Sequence, residues 1–175
     1  SGSAVAALWI LLRYYTILTA LAAALVFTAL VLRPGTASPA LLGGLTLNVL
    51  LVAIVYRLLL AGTLVQTGQE KLADLFLHSV TPALVLLFWL LRARRGALRY
   101  GDVGPWAAVP LLYFVYALTR GATDGIYPYP FLDVGTIGWV AVLRNAALIA
   151  AGFLAAGFGL VWIVQRRRLG TTPKP

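Results

Sequence analysis

Tyr14-Tyr-Thr-Ile-Leu-Thr-Ala-Leu-Ala-Ala-Ala-Leu-Val-Phe-Thr-Ala-Leu-Val-Leu32 runs for 19 residues between Arg13 and Arg33 without a charged side chain. A helix crossing a hydrocarbon core of about 30 Å needs about 20 apolar residues, with roughly 17 to 25 tolerated. Lipid offers the backbone no hydrogen-bond partner, so such a stretch has to close its own bonds as a helix. Reading this stretch as a membrane span decides the fold, because four more like it follow. Uncharged runs extend over Pro34–Tyr56, Leu75–Leu91, Val103–Thr119 and Asn145–Gln165. The breaker stretch Arg33-Pro-Gly-Thr-Ala-Ser-Pro39 delays the second helix to about Ala40, and the fifth starts early enough to carry Arg144 inside it. The expected fold is an all-α integral membrane bundle of five transmembrane helices, over about 14–32, 40–61, 73–91, 103–119 and 137–164. One domain covers 1–170, and 171–175 read as a disordered tail.

Composition agrees. The 175 residues are 61% hydrophobic and 11% charged, where a soluble domain carries about a quarter charged residues. The absence of Cys excludes disulfides and thiolate chemistry, and a single His excludes a His-rich metal site; no cofactor is called for. The chain opens on Ser1-Gly2-Ser3 and contains no Met, which reads as a trimmed or engineered start.

The net charge of +9 divides unevenly between the two ends of the helices. One end collects Arg33, Arg92, Arg94, Arg95, Arg99, Arg166, Arg167, Arg168 and Lys174 against Asp102. The other has Arg13, Arg57, Lys71, Arg120 and Arg144 against Glu70, Asp74, Asp124 and Asp133. The positive-inside rule makes the first end cytoplasmic, in a multi-pass protein of the cell membrane with its amino terminus outside and its carboxyl terminus inside. The arginines then face anionic lipid at the cytoplasmic surface, and no nucleic-acid partner is required. Gly43-Gly44, Gly152, Gly157 and Gly159 suit close helix packing.

Polar groups within membrane helices are functional candidates because they are costly to place there. On this topology Thr16, Thr19, Arg57, His78, Arg120, Arg144 and Asn145 gather in the outer leaflet, with Asn48 deeper. Over the same side lies Arg120-Gly-Ala-Thr-Asp-Gly-Ile-Tyr-Pro-Tyr-Pro-Phe-Leu-Asp133. Its prolines push Tyr127 and Tyr129 into extended geometry and exclude helix, leaving either an interfacial aromatic anchor or the wall of a pocket. A hydroxyl beside one imidazole fits acyl transfer, with His78 as base and Arg57, Arg120 or Arg144 holding a carboxylate or oxyanion. No acidic residue lies within an uncharged run to orient His78. Each residue also has a structural reading: back-bonding for the threonines, snorkelling for Arg57 and Arg144, a loop clamp for Arg120 with Asp124 or Asp133, and a backbone tie for Asn145.

Arg13-Tyr-Tyr-Thr-Ile-Leu-Thr19, Ala73-Asp-Leu-Phe-Leu-His-Ser-Val-Thr-Pro82, Tyr113-Phe-Val-Tyr-Ala-Leu-Thr-Arg-Gly121 and Tyr127-Pro-Tyr-Pro-Phe-Leu-Asp-Val134 follow in this order. Together they resemble the androgen-induced membrane protein family, in its bacterial six-helix branch, from Leu8 to about Val164. The resemblance implies a sixth helix before this start. It also implies hydrolysis of lipid esters (fatty acid esters of hydroxy fatty acids or similar), with Thr16 as nucleophile and His78 as base. Tyr127, Tyr129, Arg57, Arg120, Arg144 and Asn145 then serve as candidate substrate contacts. The chain departs from the family pattern at Thr19-Ala20, Tyr56-Arg57 and Phe88-Trp89. The competing expectation is a non-catalytic membrane subunit, or a lipid- or pigment-binding scaffold of a larger complex. A transporter fits less well, since no inverted repeat or broken helix pair is visible.

Overall fold

A computed structural model describes residues 3–62, 68–92 and 97–169, apart from the side chains of 167–169. The described residues form helices and turns without strands. They comprise α1 (Ala4–Leu11), α2 (Tyr15–Leu32), α3 (Pro39–Val55), α4 (Gln69–Leu75), α5 (Thr81–Arg92), α6 (Val103–Asp124) and α7 (Val134–Leu169). Helix α3 continues into a π-helical turn, Tyr56–Leu60, and a second π turn, Phe76–Val80, joins α4 to α5 in one continuous rod. Four helical stretches are long and apolar enough to cross a membrane: Tyr15–Leu32, Pro39–Leu60, Gln69–Arg92 and Val134–Arg166. The protein is a multi-pass all-α membrane bundle.

The predicted spans differ from these helices mainly at their ends. The third begins four residues earlier than expected, at Gln69, so Asp74 lies more than a turn inside the helical rod rather than in its first turn. Helix α6 is 22 residues long rather than 17 and absorbs Arg120–Asp124. The expectation of a non-helical stretch therefore holds only from Gly125, where a left-handed residue (φ 73°) ends α6 and its N–H bonds Gly121 O. Within the loop Pro130–Leu132 make one 3₁₀ turn. Helix α6, which carries Pro105, Trp106, Pro110, Tyr113 and Tyr116 along its length, is not among the four helices apolar enough to cross. In α7 the non-helical Gly138 (φ 76°) separates the first turn from the long apolar portion. The basic loop with Arg94 and Arg95, the side chains of Arg167 and Arg168, and the tail 170–175 with Lys174 lie outside the described residues.

Helix α3 is the central rod, packed against α2, α5, α6 and α7. It starts where the sequence says it should: Ser38 caps it by accepting from Leu41 N (3.1 Å), and Pro39 occupies the first turn, where no N–H is needed. Gly43 and Gly44 let the indole of Trp106 lie directly on the α3 backbone, and its Nε1–H donates to Ala40 O (2.8 Å). Pro110 cannot donate to the carbonyl four residues back, which leaves Trp106 O outside the α6 ladder. Asn48 reaches it from α3 with Nδ2 (3.5 Å), while also bonding Gly44 O (2.8 Å) and accepting from the Tyr15 hydroxyl. Buried Asn48 thus ties α2, α3 and α6 together, the structural use of a deep polar group. Gly157 also packs closely, against Val103, but Gly152 and Gly159 face open space and serve no packing role within the chain.

Candidate functional site

The corner between α1 and α2 is held by side chains of α6. Tyr113 and Tyr116 donate to Arg13 O (2.9 Å) and Leu12 O (3.2 Å), and Arg120 donates to Trp9 O (2.7 Å). The carbonyls at the end of α1, which have no helical partner of their own, are satisfied this way. Arg13 is buried and forms a bidentate pair with Asp124 (3.0 and 2.5 Å) while also donating to Ile126 O. That pair holds the Asp124 carboxyl below the usual carboxylate range. The Arg120 guanidinium stacks on Trp9 at 3.9 Å, bonds the Tyr116 hydroxyl (2.7 Å), and stands 3.9 Å from Asp124. Arg120 is therefore a clamp of this corner, with Asp124 rather than Asp133 as its acidic neighbour. Asp133 instead caps the first turn of α7, through Thr136.

This clamp sets the first turn of α2, and with it Thr16. The Thr16 hydroxyl stands 3.4 Å from His78 Nε2. Thr19, one turn on, back-bonds to Tyr15 O (3.0 Å) and Thr16 O (3.1 Å). Of the two threonines, Thr16 is the one that meets the imidazole. On the other side of the ring, His78 Nδ1 lies 3.0 Å from Asp74 Oδ1 and 3.2 Å from Asp74 O. The second carboxylate oxygen accepts from the Tyr56 hydroxyl (2.6 Å), and the Tyr56 ring stacks on the imidazole at 3.9 Å and 12°. The expectation that no acidic residue orients His78 is thus overturned. Asp74 sits one helical turn before it, on the same rod, and its spacing of four residues was readable in the sequence. Both Tyr56 and His78 lie in π turns, whose extra residue rotates the following side chains and which recur at functional sites.

An acceptor on Nδ1 places the ring proton there and leaves Nε2 free to accept from Thr16, the arrangement a hydroxyl nucleophile requires. A Thr–His separation of 3.4 Å is long for a hydrogen bond, as is common before substrate binds.

Thr16 and His78 line the polar end of a cavity of about 460 Å³. Tyr15, Tyr56, Tyr113 and Tyr129 complete that end, and the remainder is apolar, with Leu51, Phe114, Leu132 and Phe153 among its walls. Its walls include Leu111 (62% exposed) on α6 and Leu143 (53%) on α7, and the cavity is open rather than fully enclosed. No protein-family model, curated protein or solved structure matches the chain.

The predicted substrate contacts divide. Tyr129 lines the cavity together with Phe131 and Leu132, so part of the aromatic loop is a pocket wall. Tyr127 does not line the cavity and packs instead on Gly121, whose missing Cβ would fall 2.3 Å from the ring. Among the described residues, Arg57, Arg120 and Arg144 do not line the cavity. Arg57 is exposed and donates to Ser79 (2.7 Å), and Arg144 is exposed on α7. Asn145 donates to Phe131 O (3.2 Å), tying the loop to α7, and borders a neighbouring apolar groove of about 390 Å³ between α3 and α7. The residues that sequence reasoning missed are Asp74 and Tyr56.

Proposed function

We propose that this protein is a membrane hydrolase of lipid esters, with Thr16 as nucleophile, His78 as general base and Asp74 as the group that orients His78. The observation that carries the reading is the continuous line from Thr16 Oγ1 through His78 to Asp74, at 3.4 and 3.0 Å, at the polar end of an apolar cavity. In the first half-reaction His78 Nε2 takes the Thr16 proton as Oγ1 attacks the ester carbonyl. The tetrahedral intermediate collapses with His78 returning that proton to the leaving alkoxide, which departs as an alcohol. Water, deprotonated by the same nitrogen, then hydrolyses the acyl-threonine to a carboxylate and restores Thr16. Asp74 steadies the imidazolium in both steps.

The cavity suits a hydrocarbon arm rather than a polar one, and a volume in the range of roughly 300–1,000 Å³ is usual for ligand sites. An open, apolar cavity with exposed Leu111 and Leu143 among its walls fits a substrate that arrives from within the bilayer. The orientation with this end in the outer leaflet, and contact of the basic end with anionic lipid, belong to the same proposal. The family resemblance carried by Thr16, His78 and the Tyr-Pro-Tyr-Pro loop supports it.

The test is hydrolysis of a long-chain lipid ester in vesicles containing the purified protein. Thr16→Ala is expected to abolish turnover, and Thr19→Ala to retain it within a few-fold, because Thr19 uses its hydroxyl on its own helix. A wild-type protein that binds the ester in the cavity without turnover would instead establish the binding-scaffold reading.

A further inference from the structure

The start of α2 lacks a cap of its own. Tyr14, the capping residue, makes no side-chain bond to the helix, yet the first-turn N–H groups of a helix need partners. Tyr129, 114 residues along the chain, supplies one: its hydroxyl oxygen accepts from Tyr15 N at 3.0 Å. Thr16 and Tyr113 line the same cavity end as Tyr129. Tyr113 spends its own proton on Arg13 O (2.9 Å), so in the empty site the Tyr113 oxygen can accept from Tyr129. A carbonyl oxygen bound beside Thr16 takes that proton in its place, from a hydroxyl that the Tyr15 N–H already polarises. Hydrogen bonds that feed one another in this way strengthen the terminal donor. Burial pushes the phenol's pKa up, which keeps that proton in place.

The position is also rigid. Tyr129 has extended backbone (φ −138°, ψ 140°) between Pro128 and Pro130. Its ring is stacked on Phe131 (5.2 Å, 4°) and meets Tyr14 edge-on at 6.1 Å. Asn145 fixes Phe131 O from α7. A donor held this firmly beside a nucleophile matches what stabilisation of a developing oxyanion requires, since little reorganisation accompanies the reaction.

We propose that Tyr129 is the oxyanion donor of this site: its O–H bonds the carbonyl oxygen of the bound ester as Thr16 attacks. The stabilised negative charge then lies at the amino-terminal end of α2, where a helix favours an anion. The proposal assigns a catalytic task to the Tyr-Pro-Tyr-Pro loop and removes any need for Arg57, Arg120 or Arg144 to serve that end. It rests on the hydrolase reading above.

The experiment compares wild type, Thr16→Ala and Tyr129→Phe in detergent or vesicles, with a long-chain ester and an alkyl trifluoromethyl ketone. The ketone adds to the nucleophile and gives a tetrahedral oxyanion. Tyr129→Phe is expected to lower kcat by about 10²–10³-fold, the usual effect of removing one such donor, with KM within a few-fold. Ketone affinity should fall by a similar factor, while affinity for the fatty acid product holds. A Tyr129→Phe protein with wild-type kcat and ketone affinity would overturn the oxyanion assignment while leaving Thr16 as nucleophile. Activity that survives in Thr16→Ala would instead overturn Thr16 as nucleophile, and a wild type without turnover would overturn the hydrolase reading. A measurement without any Tyr129 variant guards against misfolding: the infrared carbonyl band of an ester bound to Thr16→Ala. It should lie below its frequency in lipid alone, and an unshifted band would exclude a donor at that oxygen.

Discussion

Asp74→Asn is expected to lower kcat for the proposed ester hydrolysis by about 10³–10⁴-fold, with KM little changed. The size follows from the comparable substitution in serine hydrolase triads, where geometry survives and the imidazole tautomer does not. Here the direction is set by Tyr56. Its hydroxyl donates to Asp74 Oδ2 at 2.6 Å, and in the variant that donor selects the amide oxygen. The amide NH₂ then faces His78 Nδ1, where the residue-74 carbonyl at 3.2 Å still accepts a proton. The amide favours the opposite tautomer, with the proton on Nε2, the atom 3.4 Å from the Thr16 hydroxyl. That atom then cannot abstract a proton, and the imidazolium loses its carboxylate. In Asp74→Asn/Tyr56→Phe the donor that selects the amide oxygen is gone, so the double variant should recover part of the lost rate. Steady-state kinetics of both variants check this. A single variant within tenfold of wild type would show that Asp74 does not control the tautomer.

The second large effect concerns folding rather than chemistry. In Gly44→Ala the added Cβ would lie 2.3 Å from Trp106 Cδ1 and 2.6 Å from Nε1. The indole has to move, and with it goes the bond to Ala40 O. Alanine contributes up to about 1 kcal/mol of helix propensity over glycine. Overpacking costs about 1–3 kcal/mol, and an orphaned buried donor about as much again. The penalty wins, and net destabilisation of about 2–4 kcal/mol is expected, read as a fall in the thermal or denaturant midpoint. Gly152→Ala is the matched control. Nothing lies within 4 Å of its added Cβ, so only the propensity term acts and stability should hold or rise slightly. Equal effects at the two positions would contradict the packing described for α3 and α6.

The sequence made the bundle readable because lipid imposes one rule on every span: enough apolar length, with backbone bonds closed internally. Helix α2, and α3 together with its π turn to Leu60, accordingly begin and end within a residue or two of expectation. Ends were less readable where a helix continues past the apolar run. Asp74 was counted with the external charges because it precedes the run Leu75–Leu91, yet α4 starts at Gln69 and carries it into the site. Its four-residue spacing to His78 was the available signal, and the intervening π turn was not. Choosing Thr16 over Thr19 required knowing how far α2 is rotated, which depends on a corner built by residues 100 positions away. The arginines misled for a related reason. A cation near a membrane surface looks the same in sequence whether it binds substrate, pairs with Asp124 as Arg13 does, or reaches Ser79 as Arg57 does. Proline, by contrast, transmitted its geometry faithfully: Tyr129, between Pro128 and Pro130, has the extended backbone expected of it.

Everything in the functional account depends on Thr16 carrying the acyl group. The most direct measurement is mass analysis of the protein after rapid acid quenching during turnover of a long-chain ester, with peptide mapping of the adduct. The predicted result is one acyl group per chain, on the peptide containing Tyr14-Tyr15-Thr16, absent in Thr16→Ala and accumulating more slowly in Asp74→Asn. Turnover with no adduct on that peptide, or an adduct that persists there in Thr16→Ala, would contradict the account.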